Sequence, residues 1–400
     1  MKRIVAYEYD KRNREAIVSA VTEENSQIIS WSLFAQESDR ISFPPGTKCV
    51  YVEISSMFAN EDRAELSIAF IEKIISFIIK ATKFKMYLIV ERQYSQMLKN
   101  LVYYRISEIN SFETLLGVEK CVPRNIIDIS QEEFDSVLDT VRDNLFGNDD
   151  FKSLLRMELE KFRIFNRTGT HPVFSVLLCG NAGIGKTELA RLLHRALAPD
   201  EPMIKLNFGN YSSDNALNSL IGSPRGYIGS NKGELSEKLS LSRSTVVLID
   251  EFEKANKPVY NFFLQLLEDG QFTDSLGRDY SLDKYILIFT SNIDYDRIEE
   301  ILSPELRSRF DIIRKMLPLS TDEKQAYVSY KVDRLIDMMQ EEVRTSLTEE
   351  AIAHIKDIDV IPYSDMRKLN SLLMQNIADE IYPILYGTSP QADDSPVTIE

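Results

Sequence analysis

The chain has 400 residues, 44% of them hydrophobic and 27% charged, the composition of a folded globular protein with enough apolar material for a large core. At roughly 100–200 residues per domain, that length predicts two or three domains. Asp and Glu number 62 against 47 Lys and Arg, a formal net charge of −15, which argues against a surface built to hold nucleic acid.

The start reaches Glu8 and Asp10 too soon for a signal peptide. Ile4–Tyr9 reads as a strand, Asn13–Glu24 as a helix, Gln27–Leu33 as a strand and Cys49–Ile54 as another. Residues 62–82 carry apolar side chains at helical spacing: Leu66, Ala69, Phe70, Ile74, Phe77 and Ile78. The apolar stretch Ile68–Ile79 is interrupted by Glu72 and Lys73, and it falls short of the about 20 residues a bilayer span needs. No membrane span is expected, and the chain reads as cytoplasmic. Met86–Val90 has the composition of a buried strand. This alternation predicts a small α/β domain over residues 1–125 with a mainly parallel sheet. Its third strand ends in Glu53, where a receiver module would carry a phospho-accepting Asp, so a recognition or adaptor role is the expectation.

Helices are expected at Gln131–Asn144 and Asp149–Phe165. A dense α/β block follows from about 173 to 316, so residues 126–316 read as one large subdomain with a helical lead-in. Residues 317–390 are helical in pattern, and residues 391–400 read as a tail. Cys49, Cys121, Cys179 and the histidines His171, His194 and His354 show neither CxxC nor HExxH spacing. Neither a structural zinc nor a disulfide framework is expected.

The β run Val173–Cys179 leads into Gly180-Asn181-Ala182-Gly183-Ile184-Gly185-Lys186-Thr187 and then a helical run from Glu188 to Leu197. This is G-x-x-x-x-G-K-[ST] in its required strand–loop–helix context. Glycines let the loop curl so that backbone N–H groups point inward, and the helix N-terminus adds partial positive charge. Lys186 would neutralise the β- and γ-phosphates of ATP, and the Thr187 hydroxyl would bind magnesium. The buried run Ser244–Ile249 ends in Asp250-Glu251. Asp250 would hold magnesium and Glu251 would polarise the attacking water. A third run, Tyr285–Thr290, precedes Ser291-Asn292. Asn292 is either a γ-phosphate contact or a strand-end turn former. Arg309 would reach a neighbouring subunit's γ-phosphate, with Arg307 as its competitor.

Together these segments resemble the AAA+ ATPases, and most closely the second ATPase module of the Clp-type unfoldases and disaggregases. GNAGIGKTELAR at 180–191, VVLIDEFEKAN at 246–256 and QLLEDGQFTDSLGR at 265–278 are all similar to that family's motifs. The resemblance runs from about 140 to 375. It implies an αβα P-loop core with a C-terminal helical lid, preceded here by the small α/β domain. The segment 220–229, LIGSPRGYIG, looks like the family's pore-loop segment, which places Tyr227 and the neighbouring Ile228 against a threaded polypeptide. Leu145 and Phe146 match the adenine-pocket pair, Arg309 the arginine finger and Arg367 the lid's sensor arginine, although Ser364, Asp365 and Met366 replace the residues usual before it.

The resemblance implies an ATP- and Mg2+-dependent, ring-forming, hexameric remodeller of polypeptide clients. The alternatives are a nucleotide-gated switch that recruits an effector protein through the N-terminal domain, and a nucleic-acid motor, which the acidic balance disfavours. Only eleven residues, Ile293–Ser303, separate Asn292 from Pro304, and no I-G-F or I-G-L tripeptide occurs among them. That argues against docking to the Clp peptidase.

Overall fold

Four short runs with β-branched or aromatic residues, β1 (Ile4–Tyr9), β2 (Gln27–Ser30), β3 (Cys49–Glu53) and β4 (Lys85–Glu91), build the first sheet together with a more polar fifth strand, β5 (Ile106–Ser111). Their order is β2-β3-β4-β1-β5, and every pairing is parallel. The computed structural model describes residues 2–32, 43–58, 68–81, 85–119, 123–211, 215–223, 233–339, 341, 344 and 347–386. The helix Arg14–Glu23 that follows β1 packs Ile17 and Val21 on one face, with Tyr51, Ile89 and Phe112. The helix Arg92–Leu101 that follows β4 packs Tyr94 and Leu98 on the other, beside Ile71 and Ile75 of the helix Ile68–Lys80. The chain therefore leaves β1 and β4 toward opposite faces, which makes the β1/β4 crevice the topological switch point of this sheet.

The second sheet contains β6 (Phe174–Cys179), β7 (Ile204–Asn207) and β8 (Val246–Asp250). Next in the chain comes a separate hairpin, β9 (Gln271–Thr273) and β10 (Asp279–Ser281). Then β11 (Ile286–Ser291) and β12 (Ile312–Lys315) complete the second sheet. Its order is β12-β6-β11-β8-β7, again all parallel. Val176, Leu178, Leu248 and Ile288 pack toward the helices Gln131–Asn144, Asp149–Arg167 and Glu188–Leu197. Leu177, Ile249 and Phe289 pack toward Glu234–Leu241 and Lys257–Asp269. This gives the three layers expected of the block.

The C-terminal helices Thr321–Asp337, Glu349–Lys356 and Met366–Tyr386 enclose a core of their own around Val328, Val332, Ile355, Leu369 and Leu373. Reciprocal Ser130–Glu133 and Ser320–Glu323 bonds start the lead-in helix and the first lid helix by satisfying otherwise unpaired N–H groups. No helix among the described residues is long and apolar enough to cross a membrane.

Candidate functional site

The turn after β6 has to reverse direction and still aim its amides inward. Gly180, Gly183 and Gly185 take φ values of +130°, +80° and +94°, which side-chain-bearing residues rarely adopt. Space is also short: a Cβ at Gly183 would lie 1.9 Å from Asp365 Oδ1. The helix Glu188–Leu197 then starts with its N-terminus facing the loop.

Lys186 is only 7% exposed. Its Nζ donates to the Gly180 and Asn181 carbonyls at 2.7 Å and to Asn292 Oδ1 at 3.0 Å. Burial pushes its ammonium below the usual lysine range, opposed by Glu253, Cys179 and Asp250. Parallel pairing of β11 with both β6 and β8 brings these groups together. Thr290 donates its hydroxyl to Asp250 Oδ1, and Lys205 Nζ lies 2.8 Å from Asp250 Oδ2. Burial alone would raise the Asp250 carboxyl. The bonds from Lys205 and Thr290 outweigh it and hold the group below its ordinary value, hence ionised.

Glu251 sits in the left-handed region at φ +58°, and its Oε2 lies 2.6 Å from Lys254 Nζ. The same oxygen packs on Gly209, where an added Cβ would come within 2.3 Å. Gly209 therefore leaves room for the carboxylate at this position.

The opposite wall comes from the lead-in and the lid. The Phe146 ring lies 5.2 Å from those of Tyr327 and Tyr330. The Tyr330 hydroxyl donates to Asn144 Oδ1 and accepts from Arg334 at 2.9 Å. The Tyr327 hydroxyl donates to Asn370 Oδ1 at 2.8 Å. The lid's last helix begins against the phosphate loop, with Met366 N–H on the Gly183 carbonyl at 3.1 Å and Arg367 N–H on Asp365 Oδ1 at 2.8 Å. One cavity of about 420 Å³ is lined by Ala182 to Glu188, Asp250, Glu251, Asn292, Leu145, Phe146 and Arg367, together with Tyr327, Tyr330 and Arg334.

Arg309 does not line that cavity. It pairs with Glu268 at 3.0 Å, and its carbonyl accepts from the Ser175 hydroxyl at 3.0 Å. Arg307 pairs with Glu299. Tyr227 and Ile228 fall outside the described residues. The chain on either side of their segment converges, because a Cβ at Gly233 would lie 2.4 Å from Ile221. Among the described residues no cluster of three or more His, Cys, Asp or Glu could hold a metal by itself. Thr187 and Asp250 supply a hydroxyl and an ionised carboxylate, a donor set suited to a hard cation that takes its other ligands from phosphates.

Sequence reading missed Tyr327, Tyr330 and Arg334. Their spacing of three and seven places them on one helix face, but nothing in it marks that face as a cavity wall. Thr290 and Lys205 were missed as well.

Residues 171–313 match the family model of the AAA domain (Cdc48 subfamily). A Lactococcus lactis ATP-dependent Clp protease ATP-binding subunit, ClpE, is 28% identical over 275 residues, 63% of this chain and 37% of the relative. The ClpC subunit of Staphylococcus aureus is 26% identical over 326 residues, 74% of this chain and 40% of the relative. The chain thus spans well under half the length of these curated relatives. The S. cerevisiae Hsp104:casein complex in its extended conformation shares the fold, with a TM-score of 0.56 at 15% identity, covering 96% of this chain and 89% of that one. The Clp-type AAA+ likeness expected from the motifs is therefore found, on an α/β AAA+ fold.

Proposed function

We propose, for a chain that carries a Clp-type AAA+ domain, that it binds and hydrolyses ATP and uses the cycle to pull on a polypeptide client. The observation that carries this reading is the convergence at one cavity of Lys186, ionised Asp250 and Asn292, facing an aromatic wall of a size for a base. Phosphates would exchange for the carbonyl partners of Lys186 and meet the inward loop amides. Leu145, Phe146, Tyr327 and Tyr330 would hold the adenine. Thr187 and Asp250 would hold magnesium, which would offset phosphate charge. Glu251 would draw a proton from the attacking water once Lys254 is displaced, and Asn292 would orient that water or the γ-phosphate.

Arg309 pairs with Glu268 and does not line its own chain's cavity, which supports action on a neighbouring subunit's nucleotide. Such a finger in trans requires a ring, and a hexamer follows from the family likeness. Tyr227 would grip the client, since a flat aromatic packs on any peptide without demanding a sequence. The relatives are ATP-binding subunits of ATP-dependent proteases, which supports the nucleotide half of this reading. The missing I-G-F/L tripeptide argues against a peptidase partner for this chain.

The test is capture with Glu251→Gln in ATP, beside Glu251→Gln/Tyr227→Ala, followed by mass spectrometry of what stays bound. Proteins retained only when Tyr227 is present support threading. Equal retention without it points instead to a nucleotide-gated switch that recruits an effector.

A further inference from the structure

A second, larger cleft of about 790 Å³ lies between the two sheets, away from the nucleotide cavity. One wall is the β1/β4 switch point and one face of the helix Arg92–Leu101, with Gln96, Met97, Asn100 and Leu101 at helical spacing. The other wall is the helix Glu234–Leu241 and the β9–β10 hairpin. Clefts of this size, at domain junctions and switch points, are where ligands are usually held. Arg243 of the second unit donates to the Arg12 carbonyl of the first at 2.9 Å, which ties the two walls together.

The hairpin side has a specific chemistry. Asp274 N–H bonds the Arg278 carbonyl at 2.9 Å, and Leu282 N–H bonds the Gly270 carbonyl at 2.7 Å. In an antiparallel ladder bonded residues alternate, so Arg278, Tyr280 and Leu282 turn their backbone groups toward β9. Asp279 and Ser281 turn theirs to the open edge, because among the described residues β10 pairs only with β9. Asp279, Tyr280 and Ser281 all line the cleft, as consecutive residues do along an edge, whereas a face would present alternate ones.

The charges in the cleft are mostly neutralised. Arg12 pairs with Asp10, Arg92 with Glu8, and Arg278 with Asp274, while Asp279 accepts from Thr273. Lys11 lines the cleft, is exposed, and makes no ion pair among the described residues.

We propose that this cleft binds a short extended segment of a partner polypeptide, added as a strand to the open edge of β10, with an acidic side chain against Lys11. An unpaired strand edge is best satisfied by another backbone, and alternate side chains of an added strand meet the apolar patch of Met97, Leu101, Leu239 and Leu276. The turn of the hairpin reaches the base of the Tyr227 segment, through Ser275 N–H on the Ile221 carbonyl and Ser275 Oγ on the Ser223 carbonyl, each at 3.1 Å. A captured segment would therefore lie close to the candidate gripping loop. This extends the reading of the chain as acting on polypeptides, but it requires no nucleotide.

The test uses the full chain without nucleotide and phage-displayed random heptapeptides. The expected winners alternate apolar residues and carry Asp or Glu. N-methylation of every second amide of a labelled winner, in one register, should weaken binding about tenfold, the value of one or two lost hydrogen bonds. The same change in the other register should leave binding unaltered. Lys11→Glu should shift the selection toward Lys- and Arg-bearing peptides while ATP hydrolysis stays the same. Failure of any peptide to enrich overturns the proposal. So does indifference to register and to Lys11→Glu, and so does displacement of the winners by ATP, which would place them in the nucleotide cavity. Since binding is read without hydrolysis, its failure is distinct from failure of the ATPase reading.

Discussion

The two five-stranded parallel sheets present the same kind of edge with opposite chemistry. At the C-terminal end of the first, the anion belongs to the protein. Glu113 is fully buried and accepts from Asp10 N–H at 2.6 Å, the Ser111 hydroxyl at 2.8 Å and the Asn13 amide at 3.3 Å, with Arg92 at 3.6 Å. At the corresponding end of the second, the carboxylates of Asp250 and Glu251 are taken up by Lys205 and Lys254, and neither of them bonds Lys186 or the loop amides. The glycine loop turns back on itself, and among the described residues Lys186 Nζ is held by the Gly180 and Asn181 carbonyls and Asn292. An open α/β sheet gathers positive potential at this edge whatever its function. One sheet fills it from within and becomes a structural unit, while the other is left ready for a phosphate.

The comparison can be broken at either edge. The largest effect is expected from Arg309→Ala, which should leave ATP binding intact and slow hydrolysis by about 10³, the usual worth of an arginine finger. Mixing it with Lys186→Ala should recover part of the activity, because some interfaces then join an intact Lys186 to an intact Arg309. Phosphate release from the mixture is the readout. Lys186→Ala alone should weaken ATP binding by about 100-fold, as measured by titration calorimetry.

In the first sheet, Glu113→Ala should destabilise by about 2–3 kcal/mol in denaturant melts, since it leaves buried donors unmet. Burial would raise the carboxyls of Glu113 and Asp10, but hydrogen bonds from the Asp10 N–H and Ser111 to the first, and from Arg12 to the second, outweigh it and lower both. Their folded values thus lie below the unfolded 4.5 and 3.8, and the stability they contribute is complete above that range. It is lost as pH falls through the folded values, so Glu113→Gln should flatten the acid limb of the thermal melts below pH 4.5. The smallest effect is expected from Tyr330→Phe, which removes a hydroxyl bridging Asn144 and Arg334. It should cost about 1 kcal/mol, roughly fivefold in ATP affinity.

The legible parts of the molecule are those whose chemistry is written in one continuous segment. The phosphate loop needs glycines and a lysine at fixed spacing, and β8 and β11 announce themselves as apolar runs that end in polar residues. The first sheet was read only as far as β4. The strand β5 follows an amphipathic helix and carries Ser107, Glu108, Asn110 and Ser111, because it is a sheet edge with little to bury, and its composition hides it. The expected helix over 62–82 is described only as Ile68–Lys80, and the expected strand end at Leu33 lies outside the described residues. Tyr327, Tyr330 and Arg334 join the nucleotide cavity through packing of the lid on the core. That relation is between segments some 140 to 180 residues apart and leaves no local pattern. The Glu113 network was equally out of reach, because a lone glutamate in a polar stretch reads as a surface charge until the fold buries it.

The central claim is that the second sheet's edge is a hydrolytic ATP site in which Glu251 activates water. The most direct test titrates ATP into the full chain and into Glu251→Gln, and follows phosphate release from both. The account predicts equal ATP affinity for the two, with turnover confined to the wild type. Unchanged turnover in Glu251→Gln, or no ATP bound by the wild type, would contradict it.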